Sequence, residues 1–468
     1  TNAASGVVAD LVTGLASGGD GADSLVDIEN VDGSAFGDFF VSSATGNRFD
    51  GAAGSDGVSY AYAAGSVTVD LAAGTATGHG ADTLVSIENV YGGASGDRLS
   101  GSAAANLLSG AGGADTLVAD AGDDVMDGEA GIDTADFSTV TANVVANLAA
   151  NFASSAQTGL DALQSIEALL TGSGADTIVA SAGADFVNAG DGADYVAGGG
   201  DADTLQGGAG IDQLFGENGD DSLEGGQGSD VVNGGAGIDT ASWVGLTSNF
   251  VGNAAQGIVG NGVDFDTVSE VEVWRFGSGN DIFVSWTGTR EAFLGGGNDW
   301  MADYSAGNND MFYGEGGNDA LYGLAGDDSL LGGAGDDLEI GGDGFDTLGG
   351  GDGFDWMQGG AGADTFVFNA VSESTVAAPD AIADFTRTVD RINLSAIDAN
   401  INAGGDQAFT VVSAFTNVAG QLRIQGVGAP GNPAIVSGDV NGDGVADFAI
   451  YVYLTGGETT MTGGDFIL

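Results

Sequence analysis

Residues 203–240 read DTLQGGAGIDQLFGENGDDSLEGGQGSDVVNGGAGIDT. An aspartate returns at every ninth position, at Asp203, Asp212, Asp221, Asp230 and Asp239, and two residues after each stands an apolar side chain. A fixed short period marks a stacked repeat and outranks local propensity. Followed outward, the series starts at Asp176 and adds Asp185 and Asp194. A second run holds Asp310, Asp319, Asp328, Asp337, Asp346, Asp355 and Asp364, with Asp281 and Asp299 ahead of it. A third holds Asp97, Asn106, Asp115, Asp124 and Asp133, and a short one Asp38, Asn47 and Asp56. The unit is G-G-x-G-x-D-x-U-x, with U apolar; Gly207–Phe215 and Gly359–Val367 are good copies.

Glycines permit left-handed backbone, so the first six residues of a unit can turn tightly with carbonyls pointing inward. The next three form a minimal strand whose middle side chain faces a core. Ile178, Val187, Val196, Leu205, Leu214, Leu223 and Val232 keep that phase, which a flexible linker would not. Two units make one coil, so positions 18 apart stack: Asp176, Asp194, Asp212 and Asp230 along one edge, Asp185, Asp203, Asp221 and Asp239 along the other. Carboxylates suit Ca2+, a hard cation that takes six to eight oxygens. The expected fold is all-β, a parallel β-roll or β-helix solenoid.

Composition requires such a cation. The 468 residues carry 68 Asp+Glu against 7 basic residues, all arginine, for a net charge of −61. Self-repulsion at that charge opposes compaction, yet 43% of residues are hydrophobic, enough for a core. Seven scattered arginines build no phosphate-binding face, so no nucleic-acid partner is expected. Without cysteine there is no disulfide scaffold. No apolar run is long enough for a membrane-spanning helix. The chain opens at Thr1 without Met or a signal peptide, which reads as a processed chain or a fragment.

The repeat resembles that of the RTX family, whose nonapeptides form a Ca2+-binding parallel β-roll. The resemblance implies Ca2+ as cofactor, many ions per chain, with ligands at Asp115, Asp124, Asp133, Asp176, Asp185, Asp194, Asp203, Asp212, Asp221, Asp230, Asp239, Asp281, Asp299, Asp310, Asp319, Asp328, Asp337, Asp346, Asp355 and Asp364. After Asp364 the period stops and all three prolines follow, at 379, 430 and 433. Segments such as Ile382–Phe385, Asp390–Ile397 and Asp465–Leu468 resemble the C-terminal region of serralysin-type proteins, a β-rich cap carrying a type I secretion signal. That likeness implies export through a bacterial type I system and folding outside the cell.

A longer repeat encloses the short one. Asp23 then Ile28-Glu-Asn-Val, Asp82 then Ile87-Glu-Asn-Val, Asp161 then Ile166-Glu-Ala-Leu, and Asp266 then Val271-Glu-Val-Trp recur between the runs. These inserts are expected as extra coils of the same stack. The expected divisions are a truncated first module at 1–56, modules at 57–133, 134–239 and 240–364, and the cap at 365–468. Glu29, Glu88, Glu167 and Glu272 read as structural carboxylates at turns. Asn47 and Asn106 suggest weak or empty sites. Arg290 stands where an Asp is expected and is read as a fixed cation in place of Ca2+. The two extra residues between Asp299 and Asp310 predict a bulge. Glu339 falls on an inward position, which predicts a one-residue slip placing Leu338 inside. Asp439-x-Asn441-x-Asp443-Gly444 resembles half an EF-hand loop without its last glutamate, and a structural hairpin is expected there.

One histidine, His79, excludes H-E-x-x-H, and no G-x-S-x-G is present. No enzyme activity is expected within these residues. The expected role is a secreted structural protein in a surface layer, matrix filament or adhesive structure. Its expected partners are copies of itself, cell-surface polysaccharide and the type I secretion machinery. An apolar outer strip of Tyr322, Leu338, Ile340 and Trp356 supports contact with such partners. Two other readings stay open: the secretion and folding half of a larger RTX enzyme, and a carbohydrate-binding RTX module.

Overall fold

The computed structural model describes residues 4–18, 21–285, 289–305, 307–426 and 431–468; Pro430 lies outside them. Two compact units divide the chain, Thr1–Gly237 and Ile238–Leu468. Both are all-β, and the one helical segment among the described residues is the 3-10 turn Gly463–Asp465.

In the first unit successive short strands alternate between two parallel sheets. Leu107–Ser109 pairs with Asn89–Tyr91 and Val125–Asp127 on one, and Arg98–Ser100 with Thr116–Val118 on the other. From Thr177 the register is strictly 18: Ile178, Val196 and Leu214 stack on one sheet, and Val187, Leu205 and Leu223 on the other. These six are fully buried, so the solenoid core is a double column of Ile, Val and Leu. Branched side chains fit the pleat, and neighbouring coils bury each other's apolar faces.

The second unit repeats the plan in Ala320–Ala325, Leu338–Asp343 and Trp356–Ala361 on one sheet and Met311–Gly316, Ser329–Ala334 and Thr347–Asp352 on the other. The chain then leaves the period. Asp380–Phe385 pairs on one side with Trp356–Ala361 and on the other with Phe448–Leu454, which turns back through antiparallel Ala434–Asp439 and Gln421–Gln425. Phe366, Phe385, Leu422, Val436, Phe448 and Ile450 form its core, closed over Leu348 and Met357 of the last coils. The cap therefore buries the apolar end that an open stack would leave in water.

The inserts differ from extra coils. Thr68–Asp70, Thr75–Thr77 and Ala81–Val85 form an antiparallel meander, whose first strand pairs with the later Arg98–Ser100 and whose third pairs with the earlier Arg48–Asp50. Val144–Asn147, Phe152–Ser155 and Gly159–Gln164 do the same. Only the middle strand runs against the sheet, so the insert stays in the stack but reverses strand order locally. A buried aromatic fills each junction, at Tyr60, Phe137 and Trp243. Each stands four residues after the last Asp of its run.

Two further expectations are corrected. The extra residues between Asp299 and Asp310 make no bulge in the strands: Ile282–Ser285, Trp300–Asp303 and Ala320–Tyr322 pair without a register shift. Glu339 does not slip. It pairs with Leu321 and Met357, faces inward and is fully buried, while Leu338 stays on the outer face. Flanking coils in strict register hold it there, because a slip would break two ladders to save one side chain.

Candidate calcium sites

The aspartates form a ladder. Within the runs, one oxygen of an Asp accepts the backbone N–H of the Asp one coil earlier. Examples are Asp97 to Asp115 (2.6 Å), Asp176 to Asp194 (2.7 Å), Asp185 to Asp203 (2.8 Å) and Asp194 to Asp212 (2.9 Å). In the second unit Asp281 donates to Asp299, Asp319 to Asp337, Asp328 to Asp346, Asp337 to Asp355 and Asp346 to Asp364, at 2.7–3.1 Å. The ladder runs into the cap, where Asp355 donates to Asp380 (3.0 Å) and Asp364 to Asp390 (3.1 Å).

The inserts are spliced into it. The last Asp of each run donates to the insert glutamate: Asp56 to Glu88 (2.9 Å), Asp133 to Glu167 (3.0 Å) and Asp239 to Glu272 (3.0 Å). Asn47 and Asp124 donate likewise to the insert aspartates Asp82 and Asp161. These carboxylates are structural members of the ladder, as their turn positions suggested; Glu29 is exposed. The junction aromatics touch the same groups: the Tyr60 hydroxyl donates to Asp82 (3.2 Å) and the Trp243 indole N–H to Asp266 (2.7 Å).

The second carboxylate oxygen decides what a corner can bind. At Asp115, Asp133, Asp194, Asp203, Asp212, Asp299, Asp319, Asp328, Asp337, Asp346, Asp355 and Asp364, Oδ2 is buried with no hydrogen-bond partner. In all twelve the residue four positions earlier is left-handed, with φ between 63° and 117°. That twist turns its N–H away from the carboxylate. The same backbone precedes Asp221, Asp230 and Asp239, at Glu217, Gly226 and Gly235. Asp124, Asp176 and Asp281 keep an unpartnered Oδ2 without it, and Asp310 has both oxygens bare. An ionised carboxylate oxygen buried without a partner is costly, and its repetition needs a common cation. Main-chain oxygens face the same spots. A Cβ on Gly207 would lie 2.7 Å from Asp212 Oδ2 and 2.6 Å from the carbonyl oxygen of Gly225 in the next coil. On Gly198 it would lie 2.5 Å from Asp203 Oδ2 and 2.9 Å from the Gly216 carbonyl. Among the described residues no three acidic or histidine side chains converge to hold a metal by themselves. The donor set is instead one carboxylate oxygen with carbonyls from adjacent coils, all hard oxygens, which fits Ca2+.

Burial raises these carboxyls, and like-charged neighbours in the ladder add to it: Asp194 and Asp203 are pushed up to about 7 and Asp299 to about 8. Without cations the ladder holds protons at pH values where free carboxylates have lost them.

Five corners among the described residues are closed. In these the fourth residue back is not left-handed and its N–H turns onto the side chain: Ser34 to Asp38 (2.5 Å), Ser43 to Asn47 (3.0 Å), Gly93 to Asp97 (2.6 Å), Ser102 to Asn106 (2.6 Å) and Ser181 to Asp185 (2.6 Å). Both Asn slots are of this kind. Asp185 joins them, which its sequence position alone did not reveal. Asp185→Asn is therefore expected to leave bound calcium and the melting temperature unchanged, because Asn47 and Asn106 show the amide accepting the same bond. Asp212→Asn is expected to remove one ion and lower the melting temperature. Metal analysis of the two dialysed variants checks both; a loss at residue 185 equal to that at 212 would refute the distinction.

Arg290 keeps the backbone place of the missing Asp, its N–H donating to Glu272 and its carbonyl accepting from Met311. Its guanidinium is exposed, 3.7 Å from Glu291, so it is not a cation lodged in the corner. In the hairpin at Asp439, both carboxylate oxygens accept main-chain N–H groups, from Gly442 (2.6 Å) and Gly444 (2.9 Å), which makes it structural. His79 is half-buried.

A model of the RTX calcium-binding nonapeptide repeat matches residues 91–126, 100–135, 170–205 and 206–241. A model of the peptidase M10 serralysin C terminal matches residues 317–468. The chain belongs to the RTX calcium-binding repeat family and ends in a serralysin-like C-terminal domain. As an RTX protein it is calcium-binding and of the secreted type. Over 101 residues, 21% of this chain, it is 42% identical to Metalloprotease AprA of Pseudomonas entomophila (strain L48), and the match spans 19% of that relative. Among solved structures, that of the AlgE6R3 subunit from the Azotobacter vinelandii mannuronan C5-epimerase is similar to 31% of this chain and 71% of its own, with 24% identity and a TM-score of 0.17. The matched C-terminal domain is the non-catalytic part of serralysins, and a single histidine cannot supply H-E-x-x-H. No helix among the described residues is long and apolar enough to cross a membrane.

Proposed function

We propose that the chain is an extracellular structural protein of a bacterium, exported by a type I system, folded by Ca2+ at the open corners and assembling with copies of itself. The observation that carries this reading is an uncharged stripe on an outer face of the second unit. Val251, Ile282, Trp300, Ala320, Leu338 and Trp356 pair in that order across neighbouring strands, and Tyr322 and Ile340 lie beside them. Val251, Ile282 and Trp356 are 56%, 43% and 39% exposed. Tyr453 of the cap packs on Trp356 at 5.8 Å and covers only one end. A row of apolar side chains rimmed by acidic corners suits an association surface.

A second copy is the occupant that fits both features, because such a surface meets its own kind only after calcium has neutralised the acidic rim. Purified protein in millimolar Ca2+ is expected to form filaments or sheets by electron microscopy. Leu338→Asp with Ile340→Asp is expected to abolish them while leaving the calcium-dependent circular dichroism intact. A monomer at every concentration would overturn the reading. It would favour the second one, supported by the serralysin-like C terminus, in which these residues are the secretion and folding part of a larger RTX enzyme.

A further inference from the structure

Between Asp310 and Asp364 the inward strand positions are Phe312, Leu321, Leu330, Glu339, Leu348 and Met357, followed by Phe366. Six of the seven are apolar. Glu339 is fully buried, and neither of its carboxylate oxygens has a hydrogen-bond partner. No arginine faces it.

The direction of the side chain is informative. A Cβ placed on Gly332 would meet Glu339 Oε1, and would lie 2.5 Å from Asp337 Oδ2 and 2.7 Å from the carbonyl oxygen of Gly350. The glutamate thus reaches from the core into the corner that Asp337 edges. Asp337 Oδ2 is unpartnered as well. Next along the same edge stand Asp355 and Asp380, each fully buried and each with a bare Oδ2. Asp380 sits on the strand Asp380–Phe385, where the periodic coils pass into the cap. The corners at Asp203 and Asp212 offer one carboxylate oxygen each, whereas this one offers two side chains and more charge behind them.

We propose that Glu339 joins Asp337 and the Gly350 carbonyl as a further calcium ligand, making this one corner tighter than the other repeat corners and filled before them. The reason is ligand count. In oxygen-ligand sites, affinity for Ca2+ rises with the number of charged ligands and with their rigidity. A glutamate fixed between Leu321 and Met357 has little freedom left to lose on binding. The site would place its ion at the last turns before the cap, and it is independent of whether the protein assembles.

The test is equilibrium dialysis of the full chain, stripped of metal, against buffered free Ca2+ from nanomolar to millimolar. Wild type is expected to take up one ion at about tenfold lower free calcium than the rest. Glu339→Leu restores the apolar pattern of the repeat, and Glu339→Gln keeps the shape without the charge. Both are expected to lose the early step, the Asp337 corner then filling together with the others, and both reach the folded circular dichroism in millimolar Ca2+. Should either variant fail to fold, the other still reports the first step. Superimposable isotherms for wild type and a folded variant would overturn the proposal and leave Glu339 a neutral buried acid.

Discussion

At pH 8, metal-stripped protein is expected to lose its cooperative melting transition, and at pH 5 to regain much of it without calcium. The cause lies in the ladder. Asp194, Asp203, Asp337, Asp355 and Asp364 are pushed up to about 7, and Asp299 and Asp380 to about 8, by burial first and by neighbouring carboxylates after it. Unfolded, they return to the ordinary value of about 4. Between these limits the metal-free fold binds more protons than the unfolded chain, so its stability falls as pH rises from about 4 to about 8. Calcium reverses this by occupying the deprotonated corners. Binding to the folded state alone adds about 2.7 kcal/mol per site at a hundredfold excess over Kd. A few such sites equal the roughly 5–15 kcal/mol that usually separates folded from unfolded. The gap in melting temperature between calcium-loaded and stripped protein should therefore be widest near pH 8 and close below about pH 6. Scanning calorimetry across that range measures it. A gap that does not change with pH would show that the carboxylates are not what calcium neutralises.

The sequence displays the fold because the repeat states the same constraint many times. Nine-residue spacing puts Leu205, Leu214 and Leu223 inside and Asp203, Asp212 and Asp221 at corners, and no tertiary contact competes with that phase. The legible part ends where a residue departs from the pattern. Glu339 looks like a reason to slip, but the coils above and below fix its register, and that stiffness belongs to the stack. Arg290 looks like a replacement cation, yet its long side chain reaches water from the same backbone position. The inserts alternate like strands, but nothing in Val67–Leu71 states that its partner lies in a later coil. The difference between open and closed corners was legible in part. Serine at positions 34, 43, 102 and 181 favours a turn whose N–H closes on the carboxylate. Gly93 closes too, and Glu315 and Leu324 adopt φ of 70° and 71° despite their side chains. Strain of that kind is held by the surrounding stack and is invisible in composition.

The single substitution expected to do most damage is Gly210→Ala. Gly210 has φ of +154°, and an added Cβ would run into the carbonyl oxygen of Gly192 one coil below. Gly228 stands in the same relation to Gly210 one coil above. The coils cannot separate to make room, because strand pairing between Thr204–Gly210 and Ser222–Gln227 and the aspartate ladder both fix the spacing at about 4.8 Å. The clash is with backbone on an unyielding column, so a loss of about 4 kcal/mol or more is expected. Gly404→Ala supplies the contrast, since nothing lies within 4 Å of its added Cβ. A change from zero to a gain of about 1 kcal/mol is expected there. Each coil contacts only its neighbours, so the harm at residue 210 should also be local. Hydrogen exchange in saturating Ca2+ is expected to show lost protection in Thr204–Gly210 and Ser222–Gln227 while Ala434–Asp439 and Phe448–Leu454 keep theirs. Equal protection in the two variants would mean that the glycine column is not what sets the coil spacing, and the tight corner would then owe its glycines to flexibility rather than to contact.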